Sequence, residues 1–468
     1  MRRFFSKFVR IFKQLVGRVF INPDKPLPPP LPNPIDWVMF RYFPRWRKSL
    51  TGWHLSRAVA ATKENYVRQL ERIHAKFQSG EKIRVMFIVK ELAKWKASSL
   101  YKAMKQSSIF KPVIGLTHPL VIHGVIPRET EKAIKRTKDW FELRGYECCV
   151  IYDSVRDKVL DLESFSPDIV FYPEVWYNNR IHSPIRVSQF ALTCYIPYFV
   201  PNYVSVDLDC RQDMHRLYWR HFVLNGDLVK LYRDSTSDRT MAGEFVGLGH
   251  TMFDTIAERV KELGTMLHPR RVIYAPHWTF DHPKNFCPVC YSTFPQLGEK
   301  ILAYAKQHRE FEWVFKPHPA LRDRIVSTGL MSPREIDDYY DEWRRIGEVC
   351  LSADYDGLFA DSMAMITDCG SFLSEYGATG HPIIHLLSQR NKEVPPEGIR
   401  KLYDTYYQVH DEKELFMWLA KILEKGCDPN KKERSQALER VDFCGQNAAK
   451  NIVEYLSQTL GFEHIQAF

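Results

Sequence analysis

From Lys82 onward the chain alternates between short uninterrupted apolar runs and longer stretches whose apolar residues recur at helical spacing. Residues 85–89 form the first run, and a helical pattern over 92–104 follows it. Next come a strand at 113–116, a helix over 130–143 that stops at Gly145, a run at 148–152, and Asp168-Ile169-Val170-Phe171-Tyr172. A strand that is apolar at every position, not at every second one, is covered on both faces. Such strands between helices predict a parallel sheet in a doubly wound α/β unit. Upstream, Leu55, Val59, Tyr66, Leu70, Ile73 and Phe77 keep helical spacing until Gly80 stops them.

A second series is predicted to begin near Glu244, with Phe245-Val246, Val272-Ile273-Tyr274-Ala275, Trp313-Val314-Phe315, Ala364-Met365-Ile366 and Ile383-Ile384-His385-Leu386 as its strands. Helical patterns over 412–423 and 435–460 close the chain. Two α/β units imply a cleft between them, with ligands at the carboxyl ends of the strands. The expected division is 35–235 for a first α/β unit, 236–430 for a second and 431–468 for a helical segment.

Ahead of these units the pattern changes. Phe4, Phe5, Phe8, Val9, Ile11, Phe12, Leu15, Val16, Val19 and Phe20 make one broad apolar side over residues 1–20, and Arg3, Lys7, Arg10, Gln14 and Arg18 recur opposite them. This predicts an amphipathic helix lying on an anionic membrane surface, where each nearby cation contributes about 1 kcal/mol. Residues 21–34 contain Pro23, Pro26, Pro28, Pro29, Pro30, Pro32 and Pro34 and predict an extended, semi-rigid linker. Residues 35–53 are aromatic and basic; they suit either the membrane interface or a cap on the first unit.

Composition narrows the class. A chain of 468 residues is long for one core, and 45% hydrophobic with 13% aromatic residues excludes wholesale disorder. Lys and Arg number 66 against 56 Asp and Glu, a formal charge of +10. Six of those cations fall within the first twenty residues, where no acid occurs, so the remainder carries only a mild excess. No basic stripe or nucleic-acid-binding module is visible, and no nucleic-acid partner is expected. Ten scattered cysteines make no regular framework and suit a reduced cytoplasmic setting. Apolar runs of about 18 residues are absent, and basic residues interrupt the apolar N-terminus as they would not in a signal peptide. The expected location is therefore cytoplasmic, peripheral on the inner face of the cell membrane.

Two motifs carry chemistry. In Ile366-Thr367-Asp368-Cys369-Gly370-Ser371-Phe372-Leu373-Ser374-Glu375-Tyr376, an apolar strand delivers an Asp, a Gly permits close backbone approach, and a Ser opens a helix whose free amides suit a phosphate. In Phe315-Lys316-Pro317-His318-Pro319, another strand ends on a mobile cation and a titratable donor. Together they describe a pocket for a phosphorylated ligand. A third constellation, His277, His282, Cys287 and Cys290, has the ligand types of a zinc site, but no second Cys-x-x-Cys pair supports it. A loop with free thiols is the preferred reading, and neither a metal nor a cofactor is expected.

These motifs, with Tyr274-Ala275-Pro276-His277-Trp278-Thr279, Ser292-Thr293-Phe294, Tyr339-Tyr340 and Trp343, resemble the CDP-glycerol glycerophosphotransferase family, which includes teichoic-acid primases, polymerases and capsule enzymes. The similarity spans roughly residues 165–390. It implies a GT-B fold, two Rossmann-like domains facing a cleft. It further implies a CDP-activated donor held by Lys316, His318, Asp368, Ser371 and Glu375, and a polysaccharide or lipid-linked acceptor whose hydroxyl attacks the phosphorus bearing the polyol. One departure matters. The family's Trp-His-Gly-Thr-Pro segment is replaced by Thr193-Cys194-Tyr195-Ile196-Pro197-Tyr198, so its histidine is missing. His277 is the expected substitute, because it directly follows a strand, and His250 is the other candidate. A nucleotide-sugar glycosyltransferase and a noncatalytic capsule-assembly factor remain open as alternatives.

Overall fold

The computed structural model describes residues 44–117, 130–156, 158–175, 181–201, 210, 213–236, 240–263, 270–280, 290–389, 394–440 and 447–461. The N-terminal amphipathic segment and the proline-rich linker lie outside the described residues, as do His282 and Cys287.

Strands β1 (Ile83–Val89), β2 (Phe110–Leu116) and β3 (Cys148–Val150) are followed by a two-stranded ribbon of β4 (Tyr152–Asp153) and β5 (Lys158–Val159). Strands β6 (Ile169–Tyr172), β7 (Leu192–Tyr195), β8 (Arg220–Val223) and β9 (Glu244–Gly247) complete a parallel sheet ordered β3-β2-β1-β6-β7-β8-β9. The second sheet contains β10 (Arg271–Ala275), β11 (Glu312–Phe315), β12 (Gly347–Val349), β13 (Ala364–Thr367), β14 (Ile383–Leu386) and β15 (Tyr407–Val409), ordered β12-β11-β10-β13-β14-β15. In each, the chain winds outward in one direction, returns to the centre and winds outward in the other. The reversal falls between β1 and β6 in the first sheet and between β10 and β13 in the second. A crevice opens outside the strand ends at such a reversal, because the connecting helices depart to opposite faces.

The continuous apolar runs are buried as expected: β6, β13 and β14 have every residue buried. One expected strand joins the other sheet. Phe245-Val246 does not open the second sheet but pairs with Phe222 and His221 of β8, making β9 the edge of the first sheet. The helical pattern over 435–460 also divides, into the helices Lys431–Arg440 and Ala448–Gly461. The latter crosses back to the first unit, where Ile452, Leu456 and Leu460 join the core with Val59, Tyr66 and Ile73 of the long helix Pro44–Gln78. Its first turn is anchored by Asp254, which accepts from the amides of Ala448 at 3.0 Å and Ala449 at 2.7 Å. A carboxylate placed there satisfies donors that the helix itself leaves open.

The helix Pro333–Ile346 starts with a capping box between Ser332 and Glu335 and presents Tyr339, Tyr340 and Trp343 to the second sheet. Trp343 is fully buried and stacks on Phe315, with centroids 5.1 Å apart and planes within 12°. These motif aromatics are therefore a wedge beneath the strand end that carries Lys316. Replacing Trp343 with Ala is expected to cost about 3–5 kcal/mol of unfolding free energy, the range for a large aromatic removed from a packed core. Urea unfolding at fixed pH measures it.

Candidate functional site

Register places the chemistry. Tyr274 of β10 lies opposite Phe315 of β11, and Ala275 lies opposite Thr367 of β13, so all three strands end at one level. The segments that leave them carry His277, Lys316 with His318, and Asp368 through Ser371, and all gather at the reversal of the second sheet.

Lys316 is only 5% exposed. Its ammonium donates to the Ser352 carbonyl at 2.9 Å, stands 4.4 Å from the centroid of the Tyr355 ring and lies 5.9 Å from that of Phe372. Among the described residues no carboxylate forms an ion pair with it, and burial pulls its pKa below the ordinary lysine value. A buried ammonium without a counter-charge is costly, so this one is poised to accept an anion.

His277 and His318 meet edge to face, with centroids 5.1 Å apart. In each ring Nδ1 accepts the backbone N–H two residues onward, from Thr279 at 3.2 Å and from Ala320 at 3.1 Å. The Thr279 hydroxyl also lies 2.7 Å from Nδ1 of His277. These bonds assign the proton of each neutral ring to Nε2. Burial, reinforced by His318, pushes the pKa of His277 well down; burial followed by the charge of Lys316 pushes that of His318 down to about 4. Both rings are therefore neutral near pH 7 and offer N–H donors. For His277 this differs from the expected base, which would need its Nε2 lone pair free.

Ser371 follows Gly370 in the helix Gly370–Glu375, whose side chains provide no cap. The Gly370 and Ser371 amides have no acceptor among the described residues. A helix of six residues has little dipole, so attraction for an anion comes mainly from Lys316 and the local N–H groups. Ser371 itself is half-buried, with its hydroxyl 3.5 Å from the Cys369 sulfur.

Two expected donor ligands are already occupied. Asp368 is buried; it accepts from the His277 amide at 2.6 Å and from the Thr293 amide and hydroxyl at 2.6 and 2.9 Å. Burial raises its pKa to about 6 against the lowering effect of those hydrogen bonds. It ties the loops after β10 and before the helix Phe294–Gln307 together. Glu375 is buried at the far end of its helix and accepts from Lys96 at 2.8 Å and from the Tyr355 hydroxyl at 2.9 Å. Lys96 and Tyr355 carry no motif and were not singled out from the sequence.

His250 is separated from this cluster. It is 2% exposed, its Nδ1 accepts the Met252 amide at 3.2 Å, and its Nε2 lies 2.7 Å from the Pro197 carbonyl. With both nitrogens engaged it fastens the start of the helix Thr251–Leu263 to the loop after β7 and has no free position for proton transfer.

The reversal of the first sheet also gathers charge. Glu174, just beyond β6, pairs with Lys90 and with Lys94 at 3.1 Å, and Lys94 pairs with Glu91 at 3.0 Å. A cavity of about 20 Å³, enough for a water, lies there. Its opposed charges largely offset one another, whereas the loops at the reversal of the second sheet carry Lys316 and N–H groups with no carboxylate paired to that lysine among the described residues.

Known structures agree with this architecture. A UDP-N-acetylglucosamine 2-epimerase matches with a TM-score of 0.51 at 16% identity, over 83% of this chain and 98% of that one. The UDP-GlcNAc 2-epimerase of Neisseria meningitidis, bound to UDP-GlcNAc, matches with a TM-score of 0.51 at 15% identity, over 81% and 100%. The chain adopts a GT-B fold. A variant of the wall teichoic acid polymerase TagF matches with a TM-score of 0.47 at 12% identity, over 85% and 98%. No family model matches the chain, and no curated protein does. At these identities the likeness establishes the fold alone.

Burial of His250 yields a pH prediction. Burial lowers its pKa from 6.5 to about 4, so the unfolded chain takes up the proton first as acid is added. The stability contributed is fully present above pH 6.5 and is lost as pH falls through 4; its size is on the order of 3 kcal/mol. A His250→Gln variant should therefore lose less stability than the parent between pH 6.5 and 4. Urea unfolding at a series of pH values measures the difference.

Proposed function

We propose that the protein is a transferase that moves a polyol phosphate from a CDP-activated donor to a hydroxyl of a cell-surface polysaccharide or lipid-linked acceptor. The observation that carries this reading is the buried Lys316 ammonium, which among the described residues donates to the Ser352 carbonyl and has no carboxylate in an ion pair with it. The donor diphosphate sits against Lys316, the Gly370 and Ser371 amides, and the Nε2–H groups of His277 and His318. The acceptor oxygen bonds to the phosphorus bearing the polyol, the bond from that phosphorus to the bridging oxygen breaks, and CMP leaves with the electron pair. Such a step depends mainly on positioning and charge stabilisation, and neutral imidazole donors suit the oxygens on which charge accumulates. The acceptor proton passes to solvent or, after a tautomer change that releases Thr279, to His277.

Access to a lipid-linked acceptor accords with the basic, aromatic N-terminal segment. Among the described residues no helix is long and apolar enough to cross a membrane. A second reading, a GT-B glycosyltransferase with a nucleotide-sugar donor, draws support from the loop after β7, where the family's histidine is missing and His250 is held at both nitrogens. The same phosphate pocket serves either donor.

A panel of CDP, UDP and GDP compounds tests both readings. CDP-glycerol is expected to raise the melting temperature and to release CMP when a hydroxyl acceptor is supplied. UDP or GDP release in its place supports the second reading, and no response to any nucleotide leaves only a noncatalytic role. Lys316→Met should weaken CDP binding about 10- to 100-fold, since a charge-assisted hydrogen bond is worth about 1.5–3 kcal/mol. The same change should leave the unliganded protein as stable as the parent or more so, because it removes a buried ammonium without a counter-charge. Loss of stability with unaltered CDP affinity would overturn the assignment.

A further inference from the structure

The helix Gly370–Glu375 connects the pocket to the other unit. It begins with the two open amides and ends on Glu375, 2% exposed, whose partner Lys96 belongs to the first unit and is 6% exposed. The position of Lys96 is fixed from behind. Its carbonyl accepts from the Thr251 hydroxyl at 2.6 Å, and the Ser99 hydroxyl donates to the Thr251 carbonyl at 3.0 Å. These bonds seat it on the helix Thr251–Leu263, which joins the two sheets. In front, the Lys96 ammonium lies 2.9 Å from the Tyr355 hydroxyl and 4.4 Å from the centroid of that ring, the same centroid distance as Lys316. Tyr355 thus shares its ring between an ammonium of each unit. Burial pulls the pKa of Lys96 down, but the Glu375 carboxylate, with Tyr355 and Asp356, outweighs it, so Lys96 stays charged.

We propose that Lys96 is a positioning residue for the donor pocket: by holding Glu375 it sets the helix that opens with Gly370-Ser371 and closes the first unit over Lys316. The proposal rests on the reading of that pocket as an anion site. Without Lys96, Glu375 would be left buried with only a phenol as partner; burial already raises its pKa, so it either takes up a proton, losing its hold on the first unit, or moves with its helix. The two ammonium groups also repel each other, and Lys96 contributes to the lowered pKa of Lys316. A diphosphate placed at Lys316 relieves that repulsion, so anion binding and closure favour each other.

Five proteins test this: the parent, Lys96→Met, Glu375→Gln, the double variant and the conservative control Lys96→Arg. Each is unfolded in urea, measured by small-angle scattering, and titrated calorimetrically with CDP and, separately, with inorganic pyrophosphate. The single variants are expected to unfold at lower urea, and the double variant little below Glu375→Gln alone. Lys96→Met should show a larger radius of gyration and bind the probes at least about tenfold more weakly, although Lys316, His318 and Ser371 are untouched; Lys96→Arg should recover part of the loss. A residue with a merely structural role would move the urea midpoint and leave probe affinity unchanged, so a folded Lys96→Met with parental affinity overturns the proposal, as do additive stability losses. If pyrophosphate binds the parent and CDP does not, the CDP reading fails while the role of Lys96 is still decided by its effect on pyrophosphate. Binding of neither probe overturns both.

Discussion

Asp368 accepts hydrogen bonds from three donors on two other segments, the His277 amide and the amide and hydroxyl of Thr293. That single buried carboxylate pins the loop after β10 and the start of the helix Phe294–Gln307 against the end of β13. Each donor would otherwise be a buried N–H or O–H with no partner, and each such loss costs about 1–3 kcal/mol. The loops that carry His277 and Ser371 are held at the sheet reversal because Asp368 is engaged there. Its carboxylate is taken up in holding these loops together.

The two sheet reversals are alike in topology and opposite in electrostatics. At the first, Lys90, Lys94, Glu91 and Glu174 neutralise one another around a cavity of about 20 Å³. At the second, both expected carboxylates are turned inward, Asp368 to backbone and Thr293, Glu375 to Lys96 and Tyr355. The other polar groups gathered at that reversal are an ammonium held by the Ser352 carbonyl, two imidazole N–H groups and two amides. The same fold thus carries different charge arrangements in its two halves, through the placement of a few side chains beyond the strand ends.

Some elements were hidden because burial and composition disagree. β8 reads Arg-His-Phe-Val yet has all four residues buried. Arg220 is tolerated there because its Nε donates to the Tyr455 hydroxyl at 2.6 Å, on a helix more than two hundred residues later in the chain. β7 mixes Thr and Cys with its apolar residues, and Thr193 is accommodated by the hydroxyl of Tyr66 on the long helix. The edge strands β12 and β15, three residues each, are too short to show a period. Phe245-Val246 looked like the first strand of a new series because pattern does not encode a partner, and the side-by-side fit with β8 assigns it to the first sheet.

The apolar runs by themselves determined two parallel sheets wrapped by helices, since a strand without polar positions has to be covered on both faces. They also placed Lys316, His318 and Ser371 just beyond strand ends, where such sheets bind ligands. Tertiary structure alone decided which of the polar residues remain available. Asp368, Glu375 and His250 look as reactive as Lys316 along the chain, but whether a lone pair or an ammonium is already engaged depends on groups brought from elsewhere in the chain: Thr293, Lys96 and the Pro197 carbonyl. Spacing carries periodicity along the chain and holds no record of which distant group will stand three ångströms away.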